Sequence, residues 1–167
     1  HPAHGGSMRS KVVHTIFRLL DRAGHPTLRF NFRGVGRSHG SYSGWNDEVR
    51  DIAAAAAYAR ERTRTRRLWG AGFSFGAWTG LQWAMEDREV ERFLALGLPV
   101  DTHAFEFLDR SPCTLAIVQG EHDQYGSLAG VEALRKRLES TGPVVVRVVH
   151  RADHFFTGKL EELAKAI

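Results

Sequence analysis

A chain of 167 residues, 43% hydrophobic and 25% charged, is long enough to bury a core and has an ordinary globular composition. It contains no apolar run near the roughly 18 residues that span a bilayer, and His1-Pro2-Ala3-His4 is not the basic-then-apolar start of a signal peptide. One cysteine, Cys113, excludes an internal disulfide and suits a reducing compartment, so cytoplasm is the expected location, with no membrane partner. The net charge of +4 raises nucleic acid as a partner. However, the arginines cluster in Arg60 to Arg67, where a solvated turn is expected, and no zinc-finger, helix-turn-helix or RNA-binding signature accompanies them. No nucleic-acid partner is expected.

In chain order, Met8 to Ala23 reads as a helix, with Val12, Ile16, Leu19 and Leu20 at helical spacing, Ser7 as N-cap and Gly24 as its stop. Thr27 to Phe32 reads as a strand, followed by the glycine-rich turn Arg33 to Ser38. Glu48 to Arg62 is an alanine-rich helix, Arg67 to Phe73 a strand and Phe75 to Glu86 a helix running straight out of it. Val90 to Leu98 and Cys113 to Gln119 are strands, and Asp101 to Arg110 between them is too brief for a lid domain. Ser127 to Ser140 is a helix, Val144 to His150 a β-branched strand and Thr157 to Ile167 a closing helix. Strands alternating with helices predict an α/β fold: a mostly parallel sheet covered on both faces, in one domain over residues 1–167.

Gly72-Phe73-Ser74-Phe75-Gly76 is a Gly-x-Ser-x-Gly pentapeptide. The motif alone is common, but here it lies between a strand and a helix, as a nucleophile elbow requires. Both glycines are expected to be obligatory on steric grounds. A dinucleotide loop is excluded because Gly70, Gly72 and Gly76 miss the Gly-x-Gly-x-x-Gly spacing by one residue.

A serine hydroxyl needs a base to take its proton. Of nine histidines, His154 lies just past the last strand, at the carboxyl edge of the sheet where open α/β folds bind ligands. Asp123, past the strand ending at Gln119, is the expected orienting acid, with Glu121 and Asp153 as rivals. Asp153 is the poorer of these, since neighbours in extended chain point apart. The order Ser, Asp, His is that of the α/β-hydrolase fold. The oxyanion hole would take the N–H of Phe75 and a second N–H from the opening loop, Ala3 first and His4 next. His150 and His154 are four apart but not on a helix and lack the motif glutamate, so no metal is expected, nor any cofactor.

Taken together, His1-Pro2 with Gly5-Gly6-Ser7-Met8, Leu28 to Ser38, Ala71 to Gly76, Gly120 to Asp123 and Ala152 to Phe156 resemble a family of small bacterial α/β hydrolases related to dienelactone hydrolases and acyl-peptidase-like esterases. The likeness runs over the whole chain in order. It implies Ser74, Asp123 and His154 as triad and a few dozen residues ahead of the His-Pro loop, including a strand between Thr27–Phe32 and Arg67–Phe73. The chain is accordingly expected to be N-terminally shortened. Each backbone group left unpaired in that sheet would cost roughly 1–3 kcal/mol if buried.

The expected activity is hydrolysis of small carboxylic esters through an acyl-serine, in an open site with little or no lid. Phe73, Phe75, Trp78, Phe155 and Phe156 are candidates for an acyl pocket, or else plain core. The alternatives are amide or peptide hydrolysis by the same three residues, or a non-catalytic binding protein on the same fold, against which the intact set argues.

Overall fold

The computed structural model describes residues 1–44 and 46–167. Its centre is a parallel sheet of four strands, β1 (Leu68–Phe73), β2 (Val90–Leu96), β3 (Thr114–Gly120) and β4 (Val144–Val149), lying side by side in that order. Around it lie the short 3-10 turn Pro2–His4 and five helices: α1 (Lys11–Arg22), α2 (Asn46–Thr63), α3 (Phe75–Glu86), α4 (Leu128–Leu138) and α5 (Leu160–Ala166).

Alternation along the strands feeds two apolar layers. Phe93 and Ala95 of β2, with Leu115 and Ile117 of β3, face α2, α3 and α4. Leu96 and Val118 face the other way, toward Val12 and Ile16 of α1 and Leu163 of α5. Helix α3 is apolar nearly all round, with Phe75, Ala77, Leu81, Trp83 and Ala84 buried, as a helix held between a sheet and α2 must be. Phe93 wedges between β1 and α3: a Cβ on Gly70 or on Gly80 would come within 2.5 Å of its ring.

Most expected elements form, and three differ. The cap of α1 is Ser10, whose Oγ accepts the Val13 N–H; Ser7 accepts the Arg9 N–H in the turn before it. Helix α5 begins at Leu160, because Asp153 to Gly158 are taken up in the turns that carry His154. Thr27 to Phe32 is not a strand. Among the described residues no segment lies between it and β1, so it shares no backbone ladder, and β1 is the outermost described strand on that side. A cavity of about 1170 Å³ runs between the two, lined by all of β1 and by Thr27 to Phe32.

Between β2 and β3 the chain forms neither helix nor strand, and it packs down through buried Phe105 and Leu108, so no lid rises there. Among the described residues no helix is long and apolar enough to cross a membrane.

Candidate active site

Ser74 stands between the last residue of β1 and the first of α3, with φ 55° and ψ −119°, a backbone conformation costly for a residue with a side chain. It is held there by its N–H to Leu96 O at 2.9 Å, while its carbonyl accepts from Ala77 and Trp78 at the start of α3. Turn tightness has one steric requirement rather than two. A Cβ on Gly72 would lie 2.3 Å from Gly76 O, whereas one on Gly76 would meet nothing within 4 Å. The two-glycine expectation is therefore corrected at Gly76: Gly72 needs the absence of a side chain, and Gly76 contributes only the carbonyl that Gly72 approaches.

His154 lies in the turn after β4, shaped by two further left-handed residues, Arg151 at φ 56° and Phe156 at φ 52°. Phe156 is fully buried and anchors the turn. The imidazole is itself buried, 3% exposed, with Phe73, Tyr125 and Phe155 around it at ring separations of 5.1, 4.7 and 5.1 Å. Its Nε2 is 2.8 Å from Ser74 Oγ, and its Nδ1 is 3.0 and 2.8 Å from the two oxygens of Asp123. Three side chains 80 and 31 residues apart in sequence thus form one hydrogen-bonded chain.

The rival carboxylates are occupied elsewhere. Glu121 accepts the Arg151 N–H at 2.7 Å, which holds its pKa below the ordinary range. Asp153 accepts the Thr157 N–H at 2.8 Å, and its pKa is lowered mainly by that bond. Both shape the turn that carries His154 without touching its ring nitrogens.

Around the opening loop, His1 lies against Phe75 at 4.8 Å and Tyr42 at 5.1 Å, and His1, Pro2 and His4 line the same cleft as Ser74. The N–H groups of Ala3 and His4 both turn toward His1, to Nδ1 at 3.1 Å and to the carbonyl at 3.0 Å. Of the five aromatic pocket candidates, Phe73, Phe75 and Phe155 line the cleft. Phe156 is core, and Trp78 is turned to the Ala104 carbonyl at 2.8 Å. The described residues contain no cluster of three or more His, Cys, Asp or Glu arranged to hold a metal ion.

Two residues at the site carry no motif. Gly97, at φ 55°, backs the imidazole: a Cβ there would lie 3.3 Å from His154 Nδ1 and 3.0 Å from the Phe73 ring. Gln119 touches Asp123; its one sequence signal is an amide after the apolar run Leu115 to Val118, four residues before the acid.

A sequence profile described as serine aminopeptidase, S33, of the hydrolases, matches residues 2–100. The chain belongs to this hydrolase family. Its fold is that of solved bacterial members of the α/β-hydrolase class. A protein of unknown function from Agrobacterium tumefaciens superposes with a TM-score of 0.93 at 35% identity, over 99% of this chain and 77% of that one. An α/β serine hydrolase homologue from Coxiella burnetii gives 0.91 at 37%, over 99% and 78%. A serine hydrolase without a lid from Xanthomonas campestris gives 0.89 at 32%, over 99% and 74%. The resemblance read from the motifs is thus to the right fold and hydrolase class, and the lid-less neighbour matches the short path between β2 and β3.

Proposed function

We propose that this hydrolase cleaves small carboxylic esters through an acyl-serine intermediate, with Ser74 as nucleophile, His154 as base and Asp123 as the acid that orients it. The observation that carries the reading is the Ser74 Oγ–His154 Nε2 separation of 2.8 Å in line with Asp123 on the opposite ring nitrogen. His154 takes the Ser74 proton as Oγ attacks the carbonyl carbon, then returns it to the departing alcohol; water, deprotonated by the same imidazole, releases the acid. Negative charge on the carbonyl oxygen is met by the start of α3, through the Phe75 N–H and the positive end of the helix. A second N–H is assigned to Ala3, with His4 the alternative; either must leave His1 as the oxyanion arrives. Neither metal nor cofactor has a part.

The family's profile name makes amide or peptide hydrolysis by the same three residues the alternative. The proposed partner is a small water-soluble ester, with no nucleic acid and no membrane, and the cytoplasm is the proposed location.

The test is turnover of a short-chain p-nitrophenyl ester and of an amino-acid p-nitroanilide by the protein and by Ser74→Ala, with a fluorophosphonate label on each. Ester turnover and labelling that vanish together in Ser74→Ala, with the anilide untouched, are expected. Folded protein that neither turns over ester nor takes the label refutes the reading. Preferential cleavage of the anilide would make it a peptidase.

A further inference from the structure

Gln119 is fully buried at the carboxyl end of β3, where the sheet otherwise presents apolar side chains. Its Oε1 accepts the Leu98 N–H at 2.8 Å. Its Nε2 lies 2.9 Å from Asp123 Oδ2, 2.8 Å from the Gly126 carbonyl and 3.3 Å from the Leu98 carbonyl. Turning the amide over would set its oxygen against three acceptors and its NH₂ against a donor, so the partners fix its orientation.

Asp123 is held from several sides. Oδ1 accepts the N–H groups of Tyr125 at 2.8 Å and Gly126 at 3.1 Å; Oδ2 accepts from Gln119. With these donors in place, the remaining approach to the carboxylate belongs to His154. The same amide also grips the chain after β2, which carries the wall behind the imidazole: Leu98 is bonded to Gln119, and Gly97 before it faces the His154 ring. The space is closed around this grip, since a Cβ on Gly126 would lie 1.8 Å from Leu98 O and 2.8 Å from Gln119 Nε2.

We propose that Gln119 is the positioning residue of this site, setting the Asp123 carboxylate by a direct hydrogen bond. The inference rests on the triad reading above. A packing role would be served by any apolar side chain of similar volume. Positioning requires the N–H donor, and its loss should act through Asp123.

The experiment is a double-mutant cycle of Gln119→Met and Asp123→Asn, read as kcat and KM on the short-chain ester, rate of fluorophosphonate labelling and thermal unfolding. Gln119→Met should lower kcat about 10- to 100-fold, the worth of one hydrogen bond to a charged group, with KM changed far less. In the Asp123→Asn background the same change should cost no more than about twofold, because the two act as a unit. An equal fractional loss in both backgrounds, or full activity in folded Gln119→Met, overturns the proposal.

Should Gln119→Met not fold, Gln119→Glu keeps the volume and an acceptor for the Leu98 N–H. Beside Asp123 its carboxyl holds a proton, since two carboxylates in contact cannot both ionise, and it then donates to Oδ2. Activity near that of the parent at about pH 5 to 6, falling away as the pH rises and that proton is lost, is expected. A loss of equal size at every pH overturns the proposal. The triad reading fails separately: full activity in Asp123→Asn alone, or labelling that survives in Ser74→Ala, refutes it and takes this inference with it.

Discussion

Asp123 meets Nδ1 of His154 with both carboxylate oxygens, at 3.0 and 2.8 Å, and is 7% exposed. The other acids near the imidazole, Glu121 and Asp153, are spent on backbone N–H groups of the surrounding turns. This separates three carboxylates that lie within thirty-odd residues of one another into one that faces the ring and two that shape the loop. Asp123→Asn should lower kcat on a short ester by roughly 10⁴, since an amide at that place favours the wrong tautomer of the imidazole. Glu121→Gln and Asp153→Asn should keep kcat within about tenfold, since the amide oxygen of each variant can still accept the same backbone N–H. Steady-state kinetics on the three variants check this, and comparable losses of kcat in all three would overturn the assignment.

The elbow glycines should part company under substitution. In Gly72→Ala the methyl would meet the Gly76 carbonyl at 2.3 Å, backbone against backbone, and neither side can yield without moving β1 from α3. Gly76→Ala places its methyl in open space on a helix, where alanine is favoured over glycine by about 1 kcal/mol. Thermal unfolding should show Gly72→Ala destabilised by at least about 2 kcal/mol, as for other overpacked sites, and Gly76→Ala unchanged or more stable. Equal destabilisation of both would show that the turn relaxes around a side chain at either place.

What the sequence revealed, and what it hid, follows from the range of the interactions involved. The strand-to-helix junction at Ser74 is local, so apolar runs and glycine placed it correctly. That Asp123 and His154 lie side by side is legible because chain order and the carboxyl ends of strands are constrained by a parallel sheet. Gln119 is not, since its partners Leu98 and Gly126 lie on other segments and only the folded sheet edge brings them to one amide. Thr27 to Phe32 misled for the opposite reason: its alternating apolar pattern is a strand's, but strand formation depends on a neighbour that the pattern does not contain. The equivalence of the two glycines failed for want of a distance, which no motif supplies.

Arg60 of α2 and Asp87 after α3 form a paired bridge, Nη1 to Oδ2 and Nη2 to Oδ1, each 2.8 Å, with side chains only 26% and 17% exposed. The Arg60 hydrogen bond holds the Asp87 carboxyl below its ordinary value of 3.8. A depressed carboxylate pKa contributes stability that is fully present above the unfolded-state value and is lost as the pH falls through the folded one. Asp87→Asn should therefore cost about 1–3 kcal/mol at pH 7, as for a hydrogen bond to a charged group. The gap between parent and variant should narrow below about pH 4. Urea unfolding across that range measures it, and a gap that stays constant down to pH 2 would refute the electrostatic account.

The lone thiol should be quiet in the folded protein. Cys113 is part-buried at the start of β3, and burial pushes its pKa from 9.0 up to about 11. The thiolate is the reactive form, so at pH 8 the folded protein should be alkylated by iodoacetamide on the order of 100-fold more slowly than the same protein in denaturant. The linkage runs opposite to that of Asp87. A thiol whose folded pKa is raised adds nothing to stability below the unfolded value; as the pH rises past 9.0 toward 11, unfolding gains an ionisation that the folded state resists, and stability falls. Cys113→Ser should remove that alkaline decline while leaving ester turnover unchanged, because the thiol is not among the residues lining the cleft. Rapid alkylation at pH 8 in the folded state would refute the raised thiol pKa, and an alkaline decline that persists in Cys113→Ser would show that the decline has another source.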